Sequence, residues 1–265
     1  MTADRINPPK PLTESAVIIT GGTSGVGLAT AHQLVANGVR RIALIGRDLE
    51  RGARARDAVL ERASGTRVVF VSADANDPAE AQRAADAARV ELDGVDVLVN
   101  SVAASYLPKL LFDVRPAEIP AIFLQQALAP MLMSCAVLPW MRQQKNGVII
   151  NIASDAAKVP TPGETVIGAA MAAIVTFTRT LAIEAKRDGI RANAITPSLI
   201  GGTPVYDRVM SDPFSAKLFG NATKLACLGV PQPEDLAALI VFLASPAAAK
   251  LTGQAISVNG GISAA

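Results

Sequence analysis

Four side chains in this sequence have the chemistry to move a proton. Tyr106 and Tyr206 are the only tyrosines, and a phenol can act as a general acid. Asp155 and Glu164 carry carboxylates that could act as bases, with solvation at the protein surface as the alternative for each. Exposed loop aromatics are the corresponding alternative for the two tyrosines. The residue types therefore point to proton-transfer chemistry with few candidates to perform it.

Histidine and cysteine chemistry is nearly excluded by composition. His32 is the only histidine, so a triad or a metal cluster built on histidine cannot form, and we predict no metal site. Cys135 and Cys227 are the only cysteines, too few for a disulfide framework or a thiolate metal site. We predict that both are free thiols packed inside the fold.

A glycine-rich segment, Thr20–Gly27, directly follows an apolar run and opens a helical pattern. This context is typical of a dinucleotide-binding turn, in which the pyrophosphate lies on the helix N-terminus. Gly21 permits the tight turn, Gly25 lets the backbone approach phosphate, and Gly27 lets the helix and the strand pack closely. The predicted cofactor contacts in this turn are Gly21, Thr23, Ser24, Gly25, Val26 and Gly27.

A basic residue follows the second apolar run, where an acidic residue would select NAD by binding the ribose 2′-hydroxyl. The chain has Ile45-Gly46-Arg47-Asp48 there, and an arginine favours the 2′-phosphate of NADP. We therefore predict a preference for NADP(H) over NAD(H). The adjacent acidic residue, Asp48, is the one observation that argues for NAD(H) instead.

Apolar runs alternate with helix-length segments along the chain, which predicts an α/β fold of the Rossmann type with one doubly wound, parallel, seven-stranded sheet in a single domain. The seven strands are predicted at residues 16–20, 41–45, 68–72, 95–100, 147–152, 191–196 and 255–258. Residues 1–12 read as an N-terminal extension and 13–265 as the domain. Residues 198–230 break the regular pattern, and an irregular segment of that length is typical of a substrate lid.

From about residue 13 to 261 the chain resembles a short-chain dehydrogenase/reductase. Thr20-Gly21 with Gly25 and Gly27 resembles that family's glycine motif, and Val95–Asn100 resembles the strand before its Asn-Asn-Ala-Gly motif. Gly147–Ile150 resembles the strand that leads to the catalytic serine, here Ser154. The resemblance also implies cofactor contacts by Asp74 at the adenine, by Asn100, and by Pro197, Ile200 and Thr203 in the loop after the sixth strand.

The chain departs from the family pattern around the expected nicotinamide end. Ile167 and Met171 stand where the family carries the Tyr-x-x-x-Lys pair, and Gln126 stands where it usually has an asparagine. Ser101-Val102-Ala103 replaces Asn-Ala-Gly, so we expect Val102 to reshape the pocket floor. Ile167, Met171, Val102 and Gln126 are predicted to line the substrate pocket.

The missing pair leaves three functions open. The first is an atypical NADP(H)-dependent oxidoreductase on an apolar carbonyl, enoyl or acyl thioester substrate, in which Ser154 stabilises an enolate and Tyr106 or Tyr206 supplies a proton. The second is a catalytically silent homologue that binds ligands or supports an active paralogous subunit. The third is a non-redox isomerase or dehydratase that uses Asp155 or a relocated tyrosine.

Composition limits the partners. With 25 basic and 23 acidic residues mixed along the chain, the net charge is +2, and there is no basic block to suggest nucleic acid. The longest apolar stretch, Val166–Val175, is shorter than a membrane span and the first residues lack a signal-peptide core, which predicts a cytoplasmic protein without a membrane partner. The family resemblance implies a homotetramer built through the two long helices.

Overall fold

The computed structural model describes residues 7–63, 65–103 and 106–265 as an α/β fold around one parallel sheet. The strands are β1 Ala16–Thr20, β2 Arg41–Gly46, β3 Arg67–Ser72, β4 Val97–Asn100, β5 Gly147–Ile152, β6 Ile190–Pro197 and β7 Ala255–Val258. Their order across the sheet is β3-β2-β1-β4-β5-β6-β7, and every neighbouring pair is parallel. The predicted fold class is confirmed.

The described residues form eight α-helices besides this sheet. They are α1 Gly25–Ala36, α2 Leu49–Leu60, α3 Pro78–Leu92, α4 Ile119–Gln143, α5 Thr165–Ala185, α6 Pro204–Ser211, α7 Pro213–Leu225 and α8 Pro233–Ala244. One apolar core joins the sheet to α3, α4 and α5, and a second joins it to α1, α2 and α8. Leu98 belongs to the first core and its neighbours Val97 and Val99 to the second, because side chains alternate along a strand.

The segment predicted as an irregular lid, 198–230, is largely helical, so that part of the prediction is wrong. Thr203 and Asp212 end the extended backbone, and their side chains accept hydrogen bonds from the main-chain N–H groups of Tyr206 and Ser215. A proline occupies the first turn of each helix, where its missing N–H costs nothing. These caps explain why a polar, proline-containing stretch forms α6 and α7.

The ends of the chain pack against the domain. The predicted extension, residues 1–12, lies partly outside the described residues, and in its described part Lys10 donates a hydrogen bond of 2.7 Å to buried Asp96. At the other end, the last residues follow β7 closely. Cys135 and Cys227 are free thiols, but both are exposed, so the prediction that they are packed is wrong.

Helices α4 and α5 contain the longest apolar segments. By length and composition alone, Pro116–Gln143 and Thr165–Asp188 could each cross a membrane, contrary to the prediction that no segment is long enough. Both helices contribute buried residues to the cores against the sheet, among them Met133 and Ile174. A core helix passes the same test, so the length of these two helices is weak evidence for a membrane.

Candidate active site

A cleft of about 500 Å³ opens at the carboxyl ends of the strands. It is bordered by Thr20 at the end of β1, Gly46 at the end of β2, Ser154 after β5 and Pro197 at the end of β6. The strand order reverses beside it, between β1 and β4. Ligands of open α/β sheets bind at such a switch point, so this cleft is the expected binding site.

The glycine turn after β1 leaves a cradle of main-chain N–H groups at one end of the cleft. Gly21 and Gly25 have positive φ angles of 75° and 50°, and a Cβ on Gly21 would lie 2.3 Å from the carbonyl oxygen of Ser101. The Ser24 side chain makes no hydrogen bond that caps α1 within the described part of the chain. The first N–H groups of α1 therefore stay available for a pyrophosphate, which fits the predicted dinucleotide.

The residues predicted in this turn divide into two groups. Thr23, Ser24, Gly25 and Val26 line the cleft with Gly21. Gly27 does not, because it faces the turn itself: a Cβ there would lie 2.3 Å from the Gly21 carbonyl oxygen. Gly27 therefore has the packing role predicted for it, and its assignment as a cofactor contact is corrected.

Charged residues line the cleft beyond β2. Arg47 is well exposed and lies 3.8 Å from the Asp74 carboxylate. Arg51, from the first turn of α2, also lines the cleft. Asp48 is absent from the lining, since its carboxylate caps α2 by accepting a hydrogen bond of 2.9 Å from the N–H of Arg51. The acidic neighbour of Arg47 is thus turned toward its own helix.

Asn100 was predicted to contact the cofactor, and its side chain is placed elsewhere. It is fully buried behind the cleft and donates a hydrogen bond of 2.9 Å to the side-chain oxygen of Asn151. Asn151 donates in turn to the Thr178 hydroxyl, also over 2.9 Å. This buried chain joins β4 and β5 to α5, so the structure gives Asn100 a positioning role, and its assignment as a direct contact is corrected.

The opposite end of the cleft is mostly apolar. Ile167 and Met171 are buried in a cluster formed with α4 and β6, and both line the cleft together with Val102 and Gln126. Ser154 lies beside them. Its hydroxyl oxygen accepts a hydrogen bond of 3.2 Å from the N–H of Ala156, which leaves the hydroxyl proton available to a ligand atom in the cleft.

The loop after β6 closes the cleft on the side of the lid. Pro197, Ile200 and Thr203, the predicted cofactor contacts of this loop, all line it. The Thr203 hydroxyl donates to the carbonyl oxygen of Ile200 over 2.9 Å and accepts from the N–H of Tyr206 over 3.1 Å. Thr203 therefore fixes the loop and the start of α6 together.

The two tyrosines both border the cleft. The Tyr106 hydroxyl is buried, has no hydrogen-bond partner among the described residues, and belongs to a side chain packed against the cluster of Ile167 and Met171. The adjacent residues 104 and 105 lie outside the described part of the chain. Tyr206 is half-buried on α6 against the small core of the lid. Their placement is compatible with the predicted role, and the Tyr106 hydroxyl faces protein rather than open solvent.

The two carboxylates expected at the surface are not there. Asp155 is buried outside the cleft, where its oxygens accept hydrogen bonds of 2.9 Å from both Ser257 and Ser263 and a shorter one from Asn259. It anchors the C-terminal segment, which corrects its assignment as a candidate base. Glu164 is partly buried in the cleft wall, and burial raises its pKa to about 7.

Sequence reasoning left several side chains of the cleft unassigned, Arg51 and Arg208 among them. Arg51 and Arg208 bring further positive charge, and Phe219 from α7 extends the apolar wall. The position of Arg51 in the first turn of α2, three residues after the cap Asp48, could have indicated that it lies near Arg47. Arg208 and Phe219 depend on how the lid helices fold over the cleft, which the local sequence does not specify. Taken together, the fold and the cleft define an α/β protein built to bind a dinucleotide.

Comparison with known proteins identifies the family. The chain matches the family described as Enoyl-(Acyl carrier protein) reductase over residues 21–263. It is 36% identical to the short-chain reductase protein NovJ of Streptomyces niveus over 254 residues, 94% of each chain. The protein belongs to the short-chain dehydrogenase/reductase family, whose members are oxidoreductases that bind a nicotinamide cofactor.

Two solved structures show the same architecture. Levodione reductase superposes with a TM-score of 0.88 at 28% identity, covering 94% of this chain and 97% of that structure. A short-chain oxidoreductase from Pseudomonas aeruginosa PAO1, described as containing an atypical catalytic center, has been solved with NADPH bound. It superposes with a TM-score of 0.87 at 28% identity and covers 97% of this chain and 100% of its own.

Proposed function

We propose that this protein is an NADP(H)-dependent oxidoreductase with an atypical active site, which reduces an apolar enoyl substrate conjugated to a carbonyl or thioester group. The observation that carries the proposal is the contrast between the two ends of one cleft. The glycine turn and the start of α1 border one end, whereas Ile167 and Met171 bring apolar side chains to the other, where the family has its tyrosine and lysine. Such a site favours a reaction that depends on stabilising an oxyanion and does not require a tyrosine at position 167 to donate a proton.

The cofactor end supports NADP(H). When bound, NADPH supplies a hydride. The first N–H groups of α1 would hold the pyrophosphate. Arg47 and Arg51 line the same cleft, where they pair with Asp74 and Asp48 at 3.8 and 3.9 Å, and their guanidinium groups would suit a 2′-phosphate. Asp48, which would repel that phosphate, is turned away to cap α2. The arginines therefore favour NADP(H) over NAD(H).

The substrate end supports an enoyl or acyl thioester group. Val102, Ile167, Met171 and Phe219 offer an apolar surface to the acyl part. The Ser154 hydroxyl has a proton to donate to the carbonyl oxygen, and this hydrogen bond strengthens as negative charge develops on that oxygen. The description of the matching family as an Enoyl-(Acyl carrier protein) reductase is in line with this substrate class.

Calorimetric titration with NADPH, NADP⁺, NADH and NAD⁺ tests the cofactor end. Arg47→Asp should weaken NADPH binding by about 10- to 100-fold, the equivalent of about 1.5–3 kcal/mol for one charge-assisted hydrogen bond, and should leave NADH binding nearly unchanged. Arg54→Asp is the matched control, since Arg54 lies on α2 outside the cleft and pairs with Glu50 at 3.7 Å. Failure to bind any dinucleotide would contradict the proposal.

A second arm tests turnover. NADPH oxidation is followed with an α,β-unsaturated thioester of medium chain length, and Ser154→Ala should lower kcat by about 100-fold if its hydrogen bond stabilises the oxyanion. Tight NADPH binding without oxidation by any enoyl, ketone or aldehyde acceptor would instead favour a non-catalytic partner of a paralogous subunit. The apolar residues at 167 and 171 are the observation behind that second candidate function.

A further inference from the structure

Glu164 lies one helical turn before the position at which the family carries its tyrosine. It precedes α5, whose cleft-facing residues include Ile167 and Met171. Residues three and four apart share a helix face, and Glu164, Ile167 and Met171 follow this spacing. All three line the same cleft as Ser154. The cleft wall formed by the start of α5 therefore contains a carboxyl group, although the family's tyrosine is absent.

Two neighbouring segments pack against Gly163, the buried residue that precedes this carboxyl in the chain. The N–H of Lys109 donates a hydrogen bond of 2.9 Å to the carbonyl oxygen of Gly163, which fastens the 106–110 segment to the start of α5. On the other side, Phe214 of α7 packs so closely that a Cβ on Gly163 would lie 2.9 Å from its ring. The loop after β4 and α7 therefore both lie next to Glu164, whose side chain is partly buried.

The carboxyl has no partner that would fix its charge. Within the described residues, no side chain donates a hydrogen bond to it or forms an ion pair with it. The charged and titratable side chains on the 106–110 segment, on residues 155–158 and on α6 and α7 are Tyr106, Lys109, Asp155, Lys158, Tyr206, Asp207, Arg208, Lys217 and Lys224. Burial is the cause that raises its pKa to about 7, close to the value that suits a general acid at neutral pH.

We propose that Glu164 is the catalytic acid of this protein and delivers the proton to the substrate in place of the side chain at position 167. This inference rests on the proposed reduction of an enoyl group. Reduction at the β-carbon leaves an enolate whose oxygen accepts the hydrogen bond from Ser154. The enolate electron pair then takes the Glu164 proton: the O–H bond of the carboxyl breaks, a C–H bond forms at the α-carbon, and the carboxylate is reprotonated by water.

The reverse of this proton transfer provides a test that needs no redox step. In D₂O, the Glu164 carboxylate should remove an α-hydrogen from a bound saturated thioester and return deuterium. The probe is the hexanoyl thioester of N-acetylcysteamine with NADP⁺ present, and the exchange is followed by NMR. Wild-type protein should exchange the α-hydrogens, with a rate that rises as pH passes through about 7.

Glu164→Gln should slow this exchange by at least about 100-fold, since general acid–base catalysis contributes on the order of 10²–10⁴ in rate. Glu164→Asp should retain part of the rate with a displaced pH profile, which a purely structural role would not produce. The matched control is Glu234→Gln, an acid in the first turn of α8 that does not line the cleft. Circular dichroism confirms that each variant is folded.

The outcomes separate this inference from the proposed function. Exchange that depends on Glu164 without any NADPH oxidation would support the acid–base role and overturn the reductase. NADPH oxidation and exchange at wild-type rates in Glu164→Gln would support the reductase and overturn the role of Glu164. Absence of exchange in folded wild-type protein that binds the thioester would also overturn it.

Discussion

At the scale of single residues, the site is defined by which side chains are shielded from water. Asp155 and Glu164 both carry carboxylates in the segment between β5 and α5, yet their surroundings differ. Asp155 receives several hydrogen bonds and serves as an anchor for the C-terminal segment. Glu164 receives none from the described residues and faces the cleft. A carboxyl that is buried without donors favours its protonated form, and this difference decides which of the two can act as an acid.

The raised pKa of Glu164 makes stability depend on pH. The folded protein holds this proton up to about pH 7, whereas the unfolded chain loses it near the ordinary pKa of 4.5. The free energy of unfolding should therefore fall as pH rises from about 4.5 to 7, by at most about 3 kcal/mol, and by less where water reaches the carboxyl. Glutamine cannot titrate, so Glu164→Gln should remove this component. Urea denaturation from pH 4.5 to 8 measures it.

The comparison that isolates this effect is the difference between wild type and each variant at every pH. Glu91→Gln is the control for this comparison, because Glu91 is an exposed acid near the end of α3 and does not line the cleft. A difference between wild type and Glu164→Gln that stays constant over this range would show that Glu164 titrates like an exposed acid. The same result would weaken its assignment as the proton donor.

At the scale of secondary-structure elements, the turn before α1 separates a packing role from a binding role. Gly27→Ala should destabilise the fold by about 1–3 kcal/mol or prevent folding, because the added Cβ would lie 2.3 Å from a backbone carbonyl oxygen. Gly25→Ala should cost about 1 kcal/mol for its positive φ and should abolish dinucleotide binding, since Gly25 lines the cleft and a Cβ there would lie 3.5 Å from the Thr203 methyl group across the turn. Thermal unfolding measures the loss of stability in each variant, and calorimetry measures dinucleotide binding. Equal binding by Gly25→Ala and wild type would show that the phosphate binds elsewhere.

The first lid helix depends on one cap. Thr203→Ala should remove the hydrogen bond to the N–H of Tyr206, destabilise α6 by about 1 kcal/mol and speed amide exchange in Pro204–Ser211 about fivefold. Thr203→Ser keeps the hydroxyl and is the matched control. Hydrogen–deuterium exchange with mass spectrometry measures the effect, and unchanged exchange in the alanine variant would mean that packing of Tyr206 alone holds the helix.

Local patterns predicted the sheet well and the lid badly. Each strand is an apolar run such as Ala16–Thr20, and burial on both faces of a parallel sheet demands just such a run. Each of the two lid helices begins with a capping residue followed by proline, at Thr203 and at Asp212. These start signals were overlooked because glycines and aromatic residues around them interrupt the helical pattern. The glycine turn could be placed from its motif, because all its parts are adjacent in the sequence.

Contacts between distant segments could not be predicted in this way. Asn100 and Asp155 were both assigned to the site by their neighbours in the sequence, and both turned out to bind partners from other elements. For Glu164 the surface was the alternative to a role as a base, because nothing nearby in the sequence indicates that Phe214 and the 106–110 segment pack against Gly163 beside it. Whether a polar side chain is an anchor or a reactive group depends on those long-range contacts.

At the scale of the whole molecule, α4 and α5 leave apolar side chains in water. Leu124 is 49% exposed and Ile183 is 61% exposed, although both belong to helices that otherwise pack in the cores. Exposed apolar surface of this kind is typical of an interface between subunits. These side chains lie on the two helices through which the family resemblance implies a homotetramer.

We therefore expect four copies of the chain to associate, and light scattering after size-exclusion chromatography to show four times the 27.4 kDa of one chain. Leu124→Glu should dissociate this assembly into dimers or monomers, because a carboxylate buried between apolar helices without a partner is strongly destabilising. Leu49→Glu is the matched control, since Leu49 is 69% exposed on α2, away from both helices, and its replacement should leave the assembly intact. A wild-type protein that elutes as a monomer at micromolar concentration would show that the apolar faces of α4 and α5 serve another partner.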